Sequence, residues 1–149
     1  MKILFINGSP NKNGNTAALA KRAALGRNYA SLHLVDYKVY GYGQNFADDQ
    51  FADIVAKMKE ADVILIGSPV YWHNMSGMVR NFLDRFYGAV REGELSGRKM
   101  GFLFQGAAPE AWMLEKAEYT MKRFAKLYGM EYIGMAASGR EAGEFGGKF

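Results

Sequence analysis

A regular alternation between short, continuously apolar segments and longer amphipathic ones constrains the fold more than any other feature of this sequence. Apolar, partly β-branched runs occur at 2–6, 31–35, 63–66, 100–104 and 132–135. Between most of them, apolar residues recur at helical spacing, as in Phe51, Ile54, Val55 and Met58. Strands that are apolar on both faces and separated by helices predict a parallel sheet covered on both sides. The chain is therefore predicted to be a doubly wound α/β protein with element order β-α-β-α-β-α-β-α-β.

The domain organisation is predicted to be simple. A chain of 149 residues is long enough for one well-buried domain, and no linker or internal repeat interrupts it. We expect residues 1–137 to form this domain. Residues 138–149, SGREAGEFGGKF, contain four glycines and are predicted to be either a flexible end or an arm over a partner or the active site.

The composition excludes several classes of protein. The chain contains no cysteine, which excludes disulfides, thiolate metal sites, cysteine-ligated iron-sulfur clusters and a cysteine nucleophile. Redox chemistry would need a bound cofactor. No dense basic run or zinc-ligand spacing favours nucleic acid, although the net charge is +4. No segment approaches the roughly 20 apolar residues that span a bilayer, so we expect a cytoplasmic protein without a membrane span.

The loop behind the first predicted strand, INGSPNKNGNT at 6–16, is unusually rich in small hydrogen-bonding residues. It should place the free N–H groups and the positive dipole end of the first helix at one point, with the Ser9 and Thr16 hydroxyls and several asparagine amides beside them. The spacing from Gly8 to Gly14 and the absence of a lysine at Asn15 disfavour a nucleoside triphosphate loop. The pattern predicts a cradle for a terminal phosphate monoester. The alternative is a polar turn that ends in an asparagine or threonine helix cap.

The loop behind the third strand, GSPVYWHNMSG at 67–77, carries Pro69, Tyr71, Trp72, His73 and Met75. A stiff loop with large polarisable side chains suits a flat aromatic ligand. Alternatively, these aromatic side chains belong to the core or to a subunit contact. His73 has no second ligand at metal spacing, so we predict no metal site; a role as general acid and a role as an ordinary loop residue both remain open.

The loop behind the fourth strand, QGAAPE at 105–110, gives a weaker signal. Gln105 offers a side-chain amide, and Gly106 permits close approach of a ligand to the backbone. Alternatively, Pro109 and Glu110 simply start the following helix.

Two of these motifs carry a resemblance to a known family. The family is that of the flavodoxin-like NAD(P)H-dependent FMN reductases and quinone reductases. Its FMN-phosphate loop resembles GSPNKNGNT, and its isoalloxazine loop with the following helix resembles SPVYWHNMSGMVRNFLDR at 68–85. The resemblance runs from residue 1 to about 136. It implies a flavodoxin-like five-stranded parallel sheet of order 2-1-3-4-5 in three α/β/α layers, with noncovalently bound FMN. It also implies an enzyme that passes hydride from NAD(P)H through FMN to a small acceptor such as a quinone, nitroaromatic or free flavin.

The resemblance also assigns cofactor-binding residues. The phosphate would be held by Ser9, Asn11, Asn15 and Thr16, with the Ala17 N–H as a further donor. The flavin ring and its pyrimidine edge would be lined by Pro69, Val70, Tyr71, Trp72, Asn74 and Met75, and Gln105 and Gly106 would approach from a third side. No catalytic side chain is assigned, because the flavin carries the chemistry. Asn81 to Asp84 would serve mainly helix packing and subunit contacts.

The end of the chain departs from the family pattern, and two functions other than an enzyme also remain open. Many relatives have a further helix after the last strand, whereas this chain ends in the glycine-bearing tail. The sheet face that such a helix would cover would then be exposed, which motivates a homodimer or higher homo-oligomer. The alternatives to an enzyme are a flavodoxin-type electron carrier, disfavoured by a predicted pI near 9.2, and a flavin-free interaction domain of the same fold.

Overall fold

The secondary structure alternates as the sequence predicts, with two additional elements. A computed structural model describes all residues from 1 to 149. The strands are β1 (Ile3–Asn7), β2 (Ala30–His33), β3 (Val63–Tyr71), β4 (Asn74–Met75), β5 (Lys99–Gln105) and β6 (Glu131–Ala136). The helices are α1 (Asn15–Ala24), α2 (Phe51–Glu60), α3 (Gly77–Asp84), α4 (Ala111–Leu127) and α5 (Gly139–Glu144), with short 3-10 turns at Leu34–Asp36 and Phe145–Lys148.

Five parallel strands form the sheet in the order β2-β1-β3-β5-β6. Counted along the parallel strands alone, this is the predicted order 2-1-3-4-5, so the flavodoxin-like topology is confirmed. A sixth strand, β4, was not predicted: it pairs antiparallel with the end of β3. β3 also continues to Tyr71, five residues past the predicted end at Ile66, because the segment expected to be a loop extends the strand and then turns back.

The continuous apolar character of the central strands follows from burial on both faces. Ile6, Ile66 and Phe102 face a cluster of 27 buried residues that includes the apolar sides of α2, α3 and α4. Their neighbours in the strands, such as Phe5 and Leu65, face a smaller cluster of 11 residues against α1 and the C-terminal segment. Side chains alternate across a strand, so both faces of β1 and β3 must be apolar. This confirms the predicted three-layer arrangement.

The C-terminal segment is folded, which differs from the expectation of a flexible tail. Ser138 caps α5 by accepting a hydrogen bond from the Glu141 N–H at 3.3 Å, and the Glu141 carboxylate accepts one from the Ala137 N–H at 2.6 Å. The Phe145 side chain is buried against Gly101, where an added Cβ would lie 2.8 Å from the Phe145 ring. The segment therefore covers the α1 face of the sheet, and that face is not available to a second subunit.

None of the helices combines the length and the apolar character that crossing a bilayer requires.

Candidate functional site

The carboxyl end of β1 leads into a loop that is held in shape by its own side chains. The Ser9 N–H donates to Asn7 Oδ1 at 3.0 Å, the Asn11 N–H to Ser9 Oγ at 3.1 Å, and the Asn13 N–H to Asn11 Oδ1 at 3.0 Å. Each polar side chain accepts from the backbone two residues further on, which is the geometry of successive Asx and serine turns. Asn7 is fully buried and also contacts His33 Nδ1 at 3.1 Å. The loop is therefore fixed before any ligand binds.

The start of α1 leaves its hydrogen-bond donors free. Gly14 is the N-cap and, having no side chain, provides no cap. No backbone or side-chain acceptor takes the N–H groups of Asn15, Thr16 and Ala17, and Thr16 Oγ1 is buried without a hydrogen-bond partner. Buried polar atoms in folded proteins are almost always paired, so an orphan hydroxyl beside an uncapped helix start indicates a missing anionic partner. The alternative prediction, a polar turn ending in an asparagine or threonine cap, is wrong.

The same loop offers mostly neutral donors. Its one cation, Lys12, pairs with Asp36 at 2.7 Å on the surface. This loop and the loop at 67–77 contain no carboxylate, and the loop at 105–110 contains one, Glu110, which accepts a hydrogen bond from Trp112 Nε1 at 3.0 Å. An anion placed here would be held by oriented N–H and O–H dipoles.

Buried hydrogen bonds join this loop to the segment behind β3. The Ser76 Oγ donates to the Gly8 carbonyl at 2.7 Å, the Ser76 N–H donates to Ser68 Oγ at 2.8 Å, and the Gly8 N–H donates to the Gly67 carbonyl at 2.8 Å. Ser76 is also the N-cap of α3 and accepts from the Val79 N–H at 3.3 Å. Asn7, Ser68 and Ser76 lie outside the predicted site residues, although a serine two residues before Met78, the first apolar residue of α3, is a recognisable cap signal.

Glycine permits the close packing of these two segments. A Cβ on Gly8 would lie 2.1 Å from Val79 Cγ2, and a Cβ on Gly67 would lie 2.7 Å from both the Phe5 ring and the Thr16 methyl group. The start of α1 therefore rests directly on the backbone of β3, and no larger residue fits at either glycine without movement.

The aromatic segment is a tight hairpin. Tyr71 pairs with Asn74, which leaves Trp72 and His73 as a two-residue turn with φ values of 47° and 63°. Positive φ at both positions is the type I′ geometry, which favours Asn-Gly and is strained for bulky residues. Trp72 is 95% exposed and Tyr71 45% exposed. The predicted aromatic wall exists, and it is displayed to solvent.

The other residues predicted for this segment divide by burial. Pro69 and Met75 are buried, so they form the base under the hairpin. Val70 and Asn74 are half-buried, and Asn74 Oδ1 accepts a hydrogen bond from the Met75 N–H at 2.8 Å. The alternative that the aromatic side chains belong to the core is therefore wrong for Tyr71 and Trp72.

The end of β5 closes the site on its third side. Gln105 pairs with Pro69 across the sheet, and Gly106 approaches Val70 so closely that an added Cβ would lie 3.0 Å from the valine side chain. A cavity of about 260 Å³ joins these two residues to Asn15 at the start of α1. α4 begins directly after Glu110, as the alternative for this loop proposed, while Gln105 and Gly106 remain at the strand end. The structure therefore places the three predicted groups of residues along one edge of the sheet.

A helix start with free N–H groups, an aromatic hairpin and a glycine-bearing strand end on a doubly wound sheet are typical of nucleotide-binding α/β proteins. The model of the NADPH-dependent FMN reductase family matches residues 1–140. The chain belongs to this family, which confirms the family that the two sequence motifs predicted and the cofactor, FMN, that the resemblance implied.

Individual relatives support the assignment over part of their length. The chain is 39% identical over 98 residues to an iron-sulfur flavoprotein of Archaeoglobus fulgidus, covering 57% of this chain and 48% of that protein. It is 28% identical over 100 residues to YwqN of Bacillus subtilis, which is named as an NAD(P)H-dependent FMN-containing oxidoreductase, covering 62% and 55%. The chain thus spans about half the length of the curated relatives it matches. Its 149 residues contain no cysteine to ligate a cluster like that of the iron-sulfur flavoprotein.

A solved structure has the same fold at low sequence identity. The FMN-dependent NADH-azoreductase of Bacillus anthracis, solved in complex with FMN, superimposes with a TM-score of 0.67 at 16% identity, covering 99% of this chain and 94% of that one. At this identity the likeness supports the fold alone.

Proposed function

We propose that this protein is an FMN-dependent oxidoreductase that passes hydride from NAD(P)H to a small electron acceptor such as a quinone, a nitroaromatic or free flavin. The observation that carries the proposal is the uncapped start of α1, where Thr16 Oγ1 is buried and unpaired. This donor set fits a phosphate monoester, and it lies on the same sheet edge as an exposed aromatic hairpin. Family membership and the name of the relative YwqN support the choice of FMN and NAD(P)H.

The loop behind β1 is proposed to hold the FMN phosphate. The N–H groups of Asn15, Thr16 and Ala17 and the Thr16 hydroxyl are free to donate. Ser9 and Asn11 already use side-chain oxygens to accept loop N–H groups, so they would contribute through the Ser9 hydroxyl hydrogen and the Asn11 amide. Because this network is complete in the protein alone, little reorganisation is needed when the phosphate binds.

The hairpin and the end of β5 are proposed to hold the flavin ring. Pro69 and Met75 form a buried base, Val70, Tyr71, Trp72 and Asn74 border the ring, and Gln105 and Gly106 close the third side. When bound, FMN supplies the hydride-transfer chemistry. The chain positions the ring, and its backbone N–H groups in the rigid hairpin can stabilise negative charge without a titrating side chain. This agrees with the lack of carboxylates in the loops at 6–16 and 67–77.

Two other functions make different predictions. A flavodoxin-type carrier would bind FMN but would not react with NAD(P)H, and a flavin-free interaction domain would not bind FMN. The net charge of +4 disfavours a carrier of the usual acidic type. Absorption spectroscopy of the purified protein with added FMN distinguishes a flavin-binding protein from a flavin-free interaction domain. Anaerobic addition of NADPH or NADH distinguishes an oxidoreductase, whose FMN is reduced, from an electron carrier, whose FMN is not. We expect a bound-flavin spectrum that bleaches within the mixing time; FMN that stays oxidised contradicts the proposal.

Thr16→Val tests the role of the orphan hydroxyl. Valine keeps the methyl group that packs on Gly67 and replaces an unpaired buried oxygen, so the FMN-free protein should be as stable as wild type or more stable by about 1 kcal/mol. The FMN dissociation constant should rise about tenfold, which corresponds to about 1.4 kcal/mol. Urea unfolding of the FMN-free protein and a fluorescence titration with FMN measure the two effects.

Thr120→Val provides the matched control. Thr120 lies in α4, where its hydroxyl donates to the Lys116 carbonyl at 3.3 Å. This variant should bind FMN with the wild-type affinity. If Thr16→Val also binds FMN normally, the Thr16 hydroxyl is not a phosphate ligand.

We also propose that the protein forms a homodimer or higher homo-oligomer through α3 and α4. A groove of about 400 Å³ between these helices is bordered by Tyr87, Tyr119 and Leu127, which are 63%, 68% and 42% exposed. Arg80 and Asp84, which pair with each other at 3.3 Å, lie at the same groove together with Arg123. An exposed apolar groove of this kind is typical of a subunit contact. The α1 face does not motivate an oligomer, because the folded C-terminal segment covers it. A single monomer mass by sedimentation at micromolar concentration contradicts this proposal.

The cytoplasmic location stays a prediction.

A further inference from the structure

We propose that His33 is a positioning residue for the phosphate site, and that it acts through Asn7 only while its Nδ1 atom carries no proton. The affinity for FMN should therefore fall on acidification by more than protonation of the FMN phosphate explains. The proposal rests on the proposed function. It adds a residue on β2, a strand that carries none of the predicted site residues, which holds the loop behind β1 in shape.

The sheet places His33 directly beside Asn7. The parallel register pairs Asn7, the last residue of β1, with His33, the last residue of β2. Paired residues of adjacent strands point to the same face of a sheet, and Asn7 Nδ2 lies 3.1 Å from His33 Nδ1. Asn7 is fully buried, whereas His33 is half-buried on an edge strand. Protons from solvent can therefore reach the imidazole ring, and the amide behind it depends on the state of that ring.

The backbone of the loop fixes the orientation of the Asn7 amide. Asn7 Oδ1 accepts from the Ser9 N–H at 3.0 Å, and Asn7 Nδ2 donates to the Asn11 carbonyl at 3.3 Å. A flipped amide would set donor against donor at Ser9 and acceptor against acceptor at Asn11, so this assignment does not depend on the histidine. The second hydrogen of Asn7 Nδ2 is left for His33 Nδ1, which must accept it. His33 is therefore neutral in this contact, with its proton on Nε2.

Protonation of His33 would break the contact. A protonated imidazole has an N–H on both nitrogens and no acceptor, so it would oppose the Asn7 amide donor. A buried donor without a partner is costly, and the amide would have to move. Because the same amide also holds Ser9 and Asn11, its movement would loosen the loop at two points. A loosened loop must be ordered again when the phosphate binds, which lowers the affinity.

No charged group near His33 takes over the role of Asn7. A cavity of about 640 Å³ beside the ring is bordered by ionisable side chains from the turn after β2 and from α2: Asp36, Tyr37, Asp53, Lys57 and Glu60. None of these hydrogen-bonds to the ring, whose polar partner is Asn7. The same turn contacts the loop once more, through the ion pair of Asp36 with Lys12 at 2.7 Å. Both of its side chains are about half exposed, and exposed ion pairs stabilise little. The contact of His33 with Asn7 is therefore the stronger tie between β2 and the loop.

The first test compares a ligand that carries the phosphate with one that lacks it. His33→Leu removes the acceptor and keeps a side chain of moderate size. At about pH 8, where a histidine is neutral, we expect the dissociation constant for FMN to rise about fivefold, the loss expected for one hydrogen bond. The dissociation constant for riboflavin, which has no phosphate, should stay unchanged. A general loss of structure would weaken the binding of both ligands. Fluorescence titration measures both constants.

His33→Asn is the matched variant. The Oδ1 atom of asparagine stands in the position of the histidine Nδ1 and accepts a hydrogen bond at every pH. This variant should bind FMN and riboflavin with the wild-type affinities at about pH 8. The proposal is overturned if His33→Leu binds FMN like the wild type. It is also overturned if His33→Asn binds FMN as weakly as His33→Leu, because the acceptor at residue 33 would then be irrelevant.

The second test measures the dependence on pH. The FMN phosphate itself gains a proton between about pH 8 and about pH 5, so wild type is compared with His33→Asn, which shares that effect. At about pH 5 we expect wild type to bind FMN about fivefold more weakly than His33→Asn, whereas the two are equal at about pH 8. His73→Asn removes the other histidine of the chain and should keep the wild-type change in affinity between the two pH values.

Two results of this test overturn the proposal. Equal affinities of wild type and His33→Asn at about pH 5 would show that protonation of His33 does not affect the loop. Tighter binding by wild type at that pH would show that the charge of His33 attracts the phosphate instead.

The third test examines the contact in the FMN-free protein by NMR. At about pH 8 the ¹⁵N shifts of the His33 ring should show a proton on Nε2 and none on Nδ1. The signals of the Asn7 side-chain amide should move as His33 titrates. A proton on Nδ1 of the neutral ring overturns the proposal. Failure of the proposed function is distinguishable, since wild type would then not bind FMN or would not pass hydride to it from NAD(P)H. Wild type and His33→Leu that bind FMN equally well contradict only the role of His33.

Discussion

The two regions that border the site, the loop at 7–17 and the hairpin at 68–76, are built in opposite ways. The loop is held by successive hydrogen bonds from its own side chains, and no residue in it has a positive φ. The hairpin places Trp72 and His73 at positive φ and displays them to solvent. The loop therefore presents fixed backbone donors in a relaxed conformation, whereas the hairpin presents side chains in a strained one.

This difference follows from what each region would have to bind. A phosphate needs several N–H groups aimed at one point, which a rigid and relaxed backbone provides. A flat ring needs area, which large side chains at the tip of a hairpin provide. The two regions are nevertheless joined by Ser76 at the start of α3. The Ser76 hydroxyl donates to the Gly8 carbonyl in the loop, and the Ser76 N–H donates to the Ser68 hydroxyl oxygen on β3.

The largest effect is expected from Gly8→Ala, which separates the two regions. The new Cβ would lie 2.1 Å from Val79 Cγ2 and 2.8 Å from the Gly67 carbonyl oxygen, so the loop or α3 must move. Overpacking of this kind should lower the free energy of unfolding by about 3 kcal/mol. Urea unfolding followed by circular dichroism measures the change.

Gly77→Ala is the control for that substitution. Gly77 is the first residue of α3, and an added Cβ meets nothing within 4 Å. Alanine is the better helix former, so this variant should be at least as stable as wild type. If Gly8→Ala is also as stable as wild type, the contact between the loop and α3 is looser than the structure shows.

The next effect concerns the far end of α3, the helix that joins the two regions. Arg85 forms a two-pronged ion pair with Asp49, with N–O distances of 2.5 and 3.0 Å, and both side chains are 16% exposed. The hydrogen bonds from Arg85 lower the pKa of Asp49 from 3.8 to about 2. A lowered pKa stabilises the folded protein above the unfolded-state pKa, and this contribution is lost as the pH falls from about 4 to about 2.

Acid unfolding of wild type and Asp49→Asn tests this contribution. Between pH 5 and pH 2 the wild type should lose about 2 kcal/mol more unfolding free energy than Asp49→Asn, which has no carboxylate to protonate. Urea unfolding at a series of pH values and constant ionic strength measures the difference. In Asp48→Asn the contribution of Asp49 to the pH dependence of the unfolding free energy should be the same as in wild type, because its ion pair with Arg85 is intact. Equal slopes for wild type and Asp49→Asn would show that the pair does not stabilise the fold.

Periodicity was sufficient to predict a parallel sheet and the first four helices, whereas the order of the strands was implied by the family resemblance. Strands buried on both faces, such as β1 and β3, must be continuously apolar, and the helices between them carry one apolar side. The parallel topology places the carboxyl ends of β1, β3 and β5 on one edge of the sheet. The alternation of strands and helices in the sequence therefore predicts that the three groups of site residues lie along that edge.

The elements that were missed depend on local geometry that periodicity does not reveal. The strand β4 and the hairpin turn were missed because Trp-His is not a usual turn sequence and only long-range packing holds it. The helix α5 was missed because glycines obscured the capping pattern from Ser138 to Glu141, which was readable in the sequence. The bracing role of Asn7 was missed because polar residues at a strand end indicate a site without specifying which atoms are already paired.

The smallest effect is expected from His73→Gly, which tests the strained side of the comparison directly. Glycine adopts a positive φ without steric cost, so relief of strain should exceed the lost edge contact with the Trp112 ring and raise the free energy of unfolding by about 1 kcal/mol. Leu25→Gly is the matched substitution, since Leu25 also has a positive φ, at 49°, and lies after α1, away from the hairpin. Thermal unfolding measures both. A His73→Gly protein that is less stable than wild type would mean that the contact with Trp112 outweighs the strain and that the hairpin, like the loop, is shaped by its own folding energy.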